Sequence, residues 1–121
     1  MAGTVTTSEK IYPTLKRIRF SVTSNADGDV SGTSSTASFT GRIVFVVFEP
    51  GAGLSADWDA YLRDDIGTYD LLNANGVNLS ESAITTKAIS DGLGCLADSV
   101  LTPVCSGMGD SKSAVITVFL E

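Results

Sequence analysis

Along most of this chain apolar and polar residues alternate with a period of two, the period of a strand with one buried face. Ile18, Phe20 and Val22 fall on one face, and Arg17, Arg19, Ser21 and Thr23 on the other. The residues before them, up to Pro13, are small, hydroxylated and polar. Residues 1 to 14 therefore read as an extended N-terminal arm, poorly packed on its own, and residues 15 to 121 as a single β domain. Asn25-Ala26-Asp27-Gly28-Asp29 supplies the side chains and the glycine that a tight reversal needs. Val30 to Ala37, nearly all Ser, Thr and Gly, suits a mostly exposed strand.

Phe39 to Phe48 is β-branched and aromatic on both faces, the pattern of a central strand covered on each side, and Pro50-Gly51 stops it. Trp58, Ala60 and Leu62 then alternate with Asp59, Tyr61 and Arg63, which predicts a half-buried strand with Trp58 inward, closed by Asp64-Asp65-Ile66-Gly67. Asp70-Leu71-Leu72 leads into Asn73-Ala74-Asn75-Gly76, where Asn-Gly is a hairpin-type turn signal. Leu79 to Ser90 mixes helical and extended spacing and reads as extended with irregular parts.

In the last third Val100, Thr102 and Val104 oppose Leu101, Pro103 and Cys105. Proline has no N–H to give a ladder, so this strand belongs at an edge or at a bulge. Ser106 to Ser111 reads as a hairpin loop, and Val115 to Leu120 as the closing strand. Seven to eight short strands with almost no helical pattern predict an all-β fold. The expected form is an antiparallel β-sandwich, jelly-roll-like or immunoglobulin-like.

Composition narrows the partners more than it names them. The 121 residues can bury the core of one domain without a metal or disulfide staple. A net charge of -6 argues against a surface built to neutralise nucleic-acid phosphates or anionic lipid, although Lys10, Lys16, Arg17 and Arg19 cluster. That cluster reads as a solvated strand face or a salt-bridging edge. No run approaches a membrane span, and the first residues lack the basic and apolar regions of a signal peptide, which points to the cytoplasm or to release on lysis. Cys95 and Cys105 are then expected as reduced thiols, although their ten-residue spacing could bridge neighbouring strands.

Candidate chemistry is sparse. The chain has no His, which removes the commonest general base and metal ligand and with it the Ser-His-Asp and Cys-His arrangements. Asp57, Asp59, Asp64 and Asp65 form the one dense carboxylate group, whose alternatives are glycoside hydrolysis, a divalent cation, or capping of backbone N–H groups. Capping is the expectation, because Asp at strand ends and in turns satisfies local donors. Asn25 to Asp29 lacks the later Glu of a calcium loop, and the Gly-x-Gly turns lack the strand-to-helix context of a phosphate cradle. No enzyme activity, cofactor or metal is expected.

From Phe20 to Ser80 and from Ser99 to Leu120 the chain resembles small virion structural proteins of tailed bacteriophages. The residues that carry the resemblance are Pro50-Gly51, Trp58-Asp59, Leu62, Asp64, Gly67, Asp70, Leu72 and Gly76, followed by Lys112 and Val115 to Leu120. Trp58 stands where that group has Tyr, and Thr68-Tyr69 fills a gap that holds one residue there. The resemblance implies a capsid decoration or cement protein bound on the outer shell, or else a head-to-tail or tail component. Its partners would be the major capsid protein or other virion subunits, with homo-oligomers in the particle and no nucleic acid or membrane contact. Its place would be the virion, after a period in the host cytoplasm during assembly.

Pro50, Gly51, Trp58, Asp59, Leu62, Asp64, Gly67, Asp70 and Gly76 then form a structural turn and core motif. Thr4, Val5, Thr6, Ile11 and Tyr12 of the arm are the candidate partner contacts. A reading of another class, a carbohydrate- or receptor-binding module, requires Trp58, Tyr61 and Tyr69 to form an exposed aromatic platform.

Overall fold

In the computed structural model, residues 3–11, 15–31, 37–65 and 70–121 are described. They form eight strands: β1 (Thr4–Ile11), β2 (Lys16–Thr23), β3 (Phe39–Pro50), β4 (Asp59–Arg63), β5 (Thr85–Ala88), β6 (Cys95–Ser99), β7 (Thr102–Ser106) and β8 (Ser113–Leu120). One 3-10 turn at Ile89–Asp91 is the remaining regular element among the described residues. The fold is all-β, and every strand pairing is antiparallel. A large sheet runs β1-β2-β8-β3-β5, with β6 joined to the first part of β3, and a second sheet is β4-β7. The two share one core, in which Ile18, Phe20, Ile43 and Ile116 of the large sheet meet Trp58, Leu62 and Cys105. This is the antiparallel sandwich that the alternation predicts.

Three local expectations are corrected. The segment read as an arm is strand β1, paired residue for residue with β2 from Thr4↔Thr23 to Ile11↔Lys16. Its Thr and Val residues favour the pleat, and Val5 packs against the core. Met1, Ala2 and Tyr12–Thr14 lie outside the described residues.

The apolar run of β3 is not a strand covered on both sides. Ile43 pairs with Leu120 and Phe45 with Phe119, so Val44 is an extra residue, a β-bulge that changes which parity faces the core. Ile43 is buried before the bulge, and Val46 and Phe48 after it, while Phe45 is 37% exposed.

Neither Gly-rich connection is a hairpin. Ser106 to Ser111 joins β7 in one sheet to β8 in the other, and buried Met108 anchors the crossing between them. Asn73 to Gly76 belongs to a loop that covers the free edge of β4. Leu79 to Ser90 is extended at β5 and turns through Ile89–Asp91. Of the strand expected from Val30 to Ala37, Val30 bridges to Cys105, and residues 32–36 lie outside the described residues.

Pro103 sits where its missing N–H does least harm. Cys105 exchanges backbone bonds with Val30, away from β4. Two residues earlier the nitrogen of Pro103 therefore faces the same outer side and interrupts no bond to β4.

Candidate docking surface

The outward face of the large sheet is decided by the parity of β2 and β8 and by the bulge in β3. Residues with the parity of Phe20 and Ile116 enter the core, so Arg17, Arg19, Ser21 and Thr23 face outward, as do Val115, Thr117 and Phe119. The registers then order the outer face into rows across the strands. The first row is Lys10, Arg17, Phe119, Phe45 and Ala88; the second is Ser8, Arg19, Thr117, Val47 and Thr86. The third is Thr6, Ser21, Val115 and Glu49.

Two cations thus stand directly opposite one another, Lys10 and Arg17, beside two aromatic rings. Like charges in opposed positions weaken a sheet unless a counter-charge lies over them. The Phe45 and Phe119 ring centroids are 6.2 Å apart at an interplanar angle of 52°, a tilted contact at the surface. A shallow groove of 260 Å³ runs beside them, lined by Arg17, Arg19, Val47, Glu49, Thr117 and Phe119. A second, of 230 Å³, continues along the same face past Ser21, Glu49 and Val115 to Gly51.

The edge of this sheet is β1. Lys112 accepts the Ser24 N–H at 2.8 Å in continuation of the β2-β8 register, so even-numbered β2 residues bond to β8 and odd-numbered ones to β1. Thr4, Thr6, Ser8 and Lys10 are consequently the β1 residues whose backbone faces β2. Val5, Thr7, Glu9 and Ile11 turn their N–H and C=O groups away from β2, and on that side the Ala37 N–H donates to Glu9 Oε2 at 3.4 Å. Ile11 is 62% exposed.

The residues of the turn and core motif act elsewhere. Trp58, Ala60 and Leu62 are fully buried, and Trp58 donates its Nε1–H to the Ser80 carbonyl at 3.0 Å. Asp70 accepts the N–H groups of Leu62 (3.0 Å) and Leu72 (3.1 Å) on Oδ1 and of Ala74 (3.0 Å) on Oδ2. Asp59 accepts the Asn78 N–H at 2.9 Å. Asp64 is buried at the end of β4, and Asp57 is exposed with a left-handed backbone, so the carboxylate group does not converge. Among the described residues no cluster of His, Cys, Asp and Glu could hold a metal ion.

Gly51 and Gly76 are places of close approach. A Cβ on Gly76 would fall on the Ala60 carbonyl oxygen, and one on Gly51 on that of Ser113. Pro50 ends β3 opposite Ala114. Gly67, Tyr69 and Tyr12 lie outside the described residues. Cys95 is exposed and Cys105 buried in the other sheet, each a free thiol, and burial pushes the Cys105 thiol up to about 12.

Sequence reasoning missed Phe45, Phe119 and Glu49 as surface residues. The Ile43 to Phe48 run conceals the parity change, and a bulge leaves no mark in an unbroken apolar stretch. The cations were visible in the sequence, but not the aromatic pair that completes their row.

Comparison with solved structures finds similarity to a cupin domain from Bordetella pertussis Tohama I, at 10% sequence identity and a TM-score of 0.40, covering 100% of this chain and 97% of that one. No protein-family model matches the chain, and no curated protein matches it significantly.

Proposed function

We propose that this chain is a non-enzymatic structural protein of a tailed-phage particle. In this reading it is a capsid decoration or cement protein that docks on the outer shell through the outward face of its large sheet. The observation that carries the reading is the row Lys10, Arg17, Phe119, Phe45: cations and surface aromatics side by side on the outward face of one sheet. Such a face suits a partner surface that offers carboxylates over the cations and apolar groups over the rings, and aromatic and Arg side chains are the anchors of protein interfaces.

The sequence resemblance supplies the particle, and the sheet face supplies the means of attachment. Many copies on a repeating shell raise avidity without strong single contacts. The aspartates support the non-enzymatic part of the reading, because Asp59 and Asp70 are engaged with backbone N–H groups. The glycan-platform alternative has no support from Trp58, which is fully buried.

Particles purified on a density gradient from cells that produce this chain should contain it in fixed proportion to the shell subunit. Double substitution Arg17→Glu with Arg19→Glu should release it from those particles while the isolated protein stays folded. Absence from purified particles overturns the reading, and density for the chain on the tail moves it to a tail component.

A further inference from the structure

We propose that the trough over β8 takes an extended segment of a partner protein in the pattern acidic, apolar, acidic, with its two carboxylates over Arg17 and Arg19 and its apolar residue against Phe45 and Val47. Such binding rests on the reading of this face as the docking surface and deepens it, whether or not the partner is a capsid. The two grooves share Glu49 and together follow β8 from Phe119 to Ser113, about 20 Å at roughly 3.4 Å per residue. Thr117 and Val115 form the floor, Arg17, Arg19 and Ser21 of β2 one wall, and Val47 and Glu49 of β3 the other. Thr117 is 7% exposed although it faces outward, which places it at the bottom between larger side chains.

Width selects the form of the occupant. The backbones of the two walls stand about 10 Å apart, one strand on either side of β8, and an α-helix is about 10 to 12 Å across with its side chains. A helix therefore cannot settle between the walls, whereas an extended chain can lie along the floor.

Charge then fixes the pattern. Among the described residues Arg17, Arg19 and Glu49 take part in no ion pair, although all three line one groove. In an extended chain residues i and i+2 face the same way and stand about 6.8 Å apart, the period that also separates Arg17 from Arg19 along β2. Carboxylates at those two positions meet the two guanidiniums one to one, in charge-assisted hydrogen bonds. The residue between them faces the β3 wall at Phe45 and Val47, where an apolar side chain buries surface against the ring and the methyl groups. Glu49 on that wall repels a carboxylate there, so consecutive acids fit worse than alternating ones.

Fluorescence anisotropy with the labelled peptide Gly-Ser-Asp-Val-Asp-Val-Ser-Gly should give a Kd of about 100 µM at low ionic strength. Its isomer Gly-Ser-Asp-Asp-Val-Val-Ser-Gly, of the same composition and charge, should bind about fivefold more weakly. Arg19 is exposed, and Arg19→Gln should weaken the alternating peptide about tenfold with an unchanged circular dichroism spectrum. Glu49→Gln should narrow the gap between the two peptides. Equal affinity for the isomers, no saturation by about 1 mM peptide, or binding indifferent to Arg19→Gln overturns the proposal. So does displacement of the labelled peptide by polygalacturonate at a lower carboxylate concentration than by unlabelled peptide, which makes the trough a polyanion site. A chain present on purified particles that fails this test keeps the docking reading and loses the extended segment; one absent from particles that passes it keeps the segment and loses the capsid.

Discussion

Asp70 Oδ1 accepts the Leu62 N–H at 3.0 Å, so a carboxylate that organises its own turn also closes the open edge of β4. The Leu71 N–H returns a bond to the Leu62 carbonyl at 2.7 Å, and the Ala60 N–H reaches the Gly76 carbonyl at 2.7 Å. The loop thus does for β4 what a third strand would do. Asp70→Ala should lower stability in urea unfolding by about 2 kcal/mol, because three N–H groups lose a charged acceptor. Asp70→Asn, which keeps one carbonyl oxygen, should lose less, and equal losses would mean that the charge rather than the bonding geometry holds the loop.

Trp58 anchors the same loop from inside the core. Trp58→Ala should cost about 3 to 5 kcal/mol, the range for removal of a large buried aromatic. Trp58→Phe retains most of the apolar volume but leaves the Ser80 carbonyl without its donor, and should cost about 1 to 3 kcal/mol. Chemical denaturation followed by far-UV circular dichroism separates the two, since neither variant depends on Trp fluorescence in that measurement.

Gly76 tolerates no side chain. Its missing Cβ would meet the Ala60 carbonyl oxygen, so Gly76→Ala should destabilise by about 2 kcal/mol through forced displacement of the loop from β4. Ala74→Gly, at a residue whose φ is 61°, should be neutral or stabilising, because glycine removes the strain of that left-handed position. Paired thermal melts of the two variants would show shifts of opposite sign, or a near-zero shift for Ala74→Gly.

The two cysteines should differ in reactivity. Cys95 is exposed and should be alkylated by iodoacetamide in the folded protein, whereas Cys105, buried and pushed up to about 12, should react only after unfolding. Mass spectrometry of a native labelling reaction should find one adduct, on Cys95.

The same thiol sets an alkaline limit. From its ordinary value of 9.0 up to about 12 the folded chain holds a proton that the unfolded chain releases. Stability from this group is therefore fully present below pH 9 and falls as pH rises, by up to about 1.4 kcal/mol per pH unit. Cys105→Ala should unfold at lower urea at pH 8 but lose less stability than wild type between pH 8 and pH 10.5. Parallel slopes in that interval would mean that the thiol does not contribute.

The alternation at Ile18, Phe20 and Val22 and at Trp58, Ala60 and Leu62 was enough to specify strands and their buried faces, because a period of two commits each side chain to one side of a sheet. The absence of His and the Asx chemistry of Asn25 were equally plain, since they depend on residue type and near neighbours.

What the sequence could not carry were relations between distant segments. The bulge at Val44 is defined only against β8, the pairing of Thr4–Ile11 only against β2, and the row Lys10, Arg17, Phe119, Phe45 draws on four strands. Each residue's intrinsic preference is local, but register and the choice of outer face arise from packing across the core. The β fold was therefore legible in the chain itself, and the surface by which it would engage a partner was decided only when the strands came together.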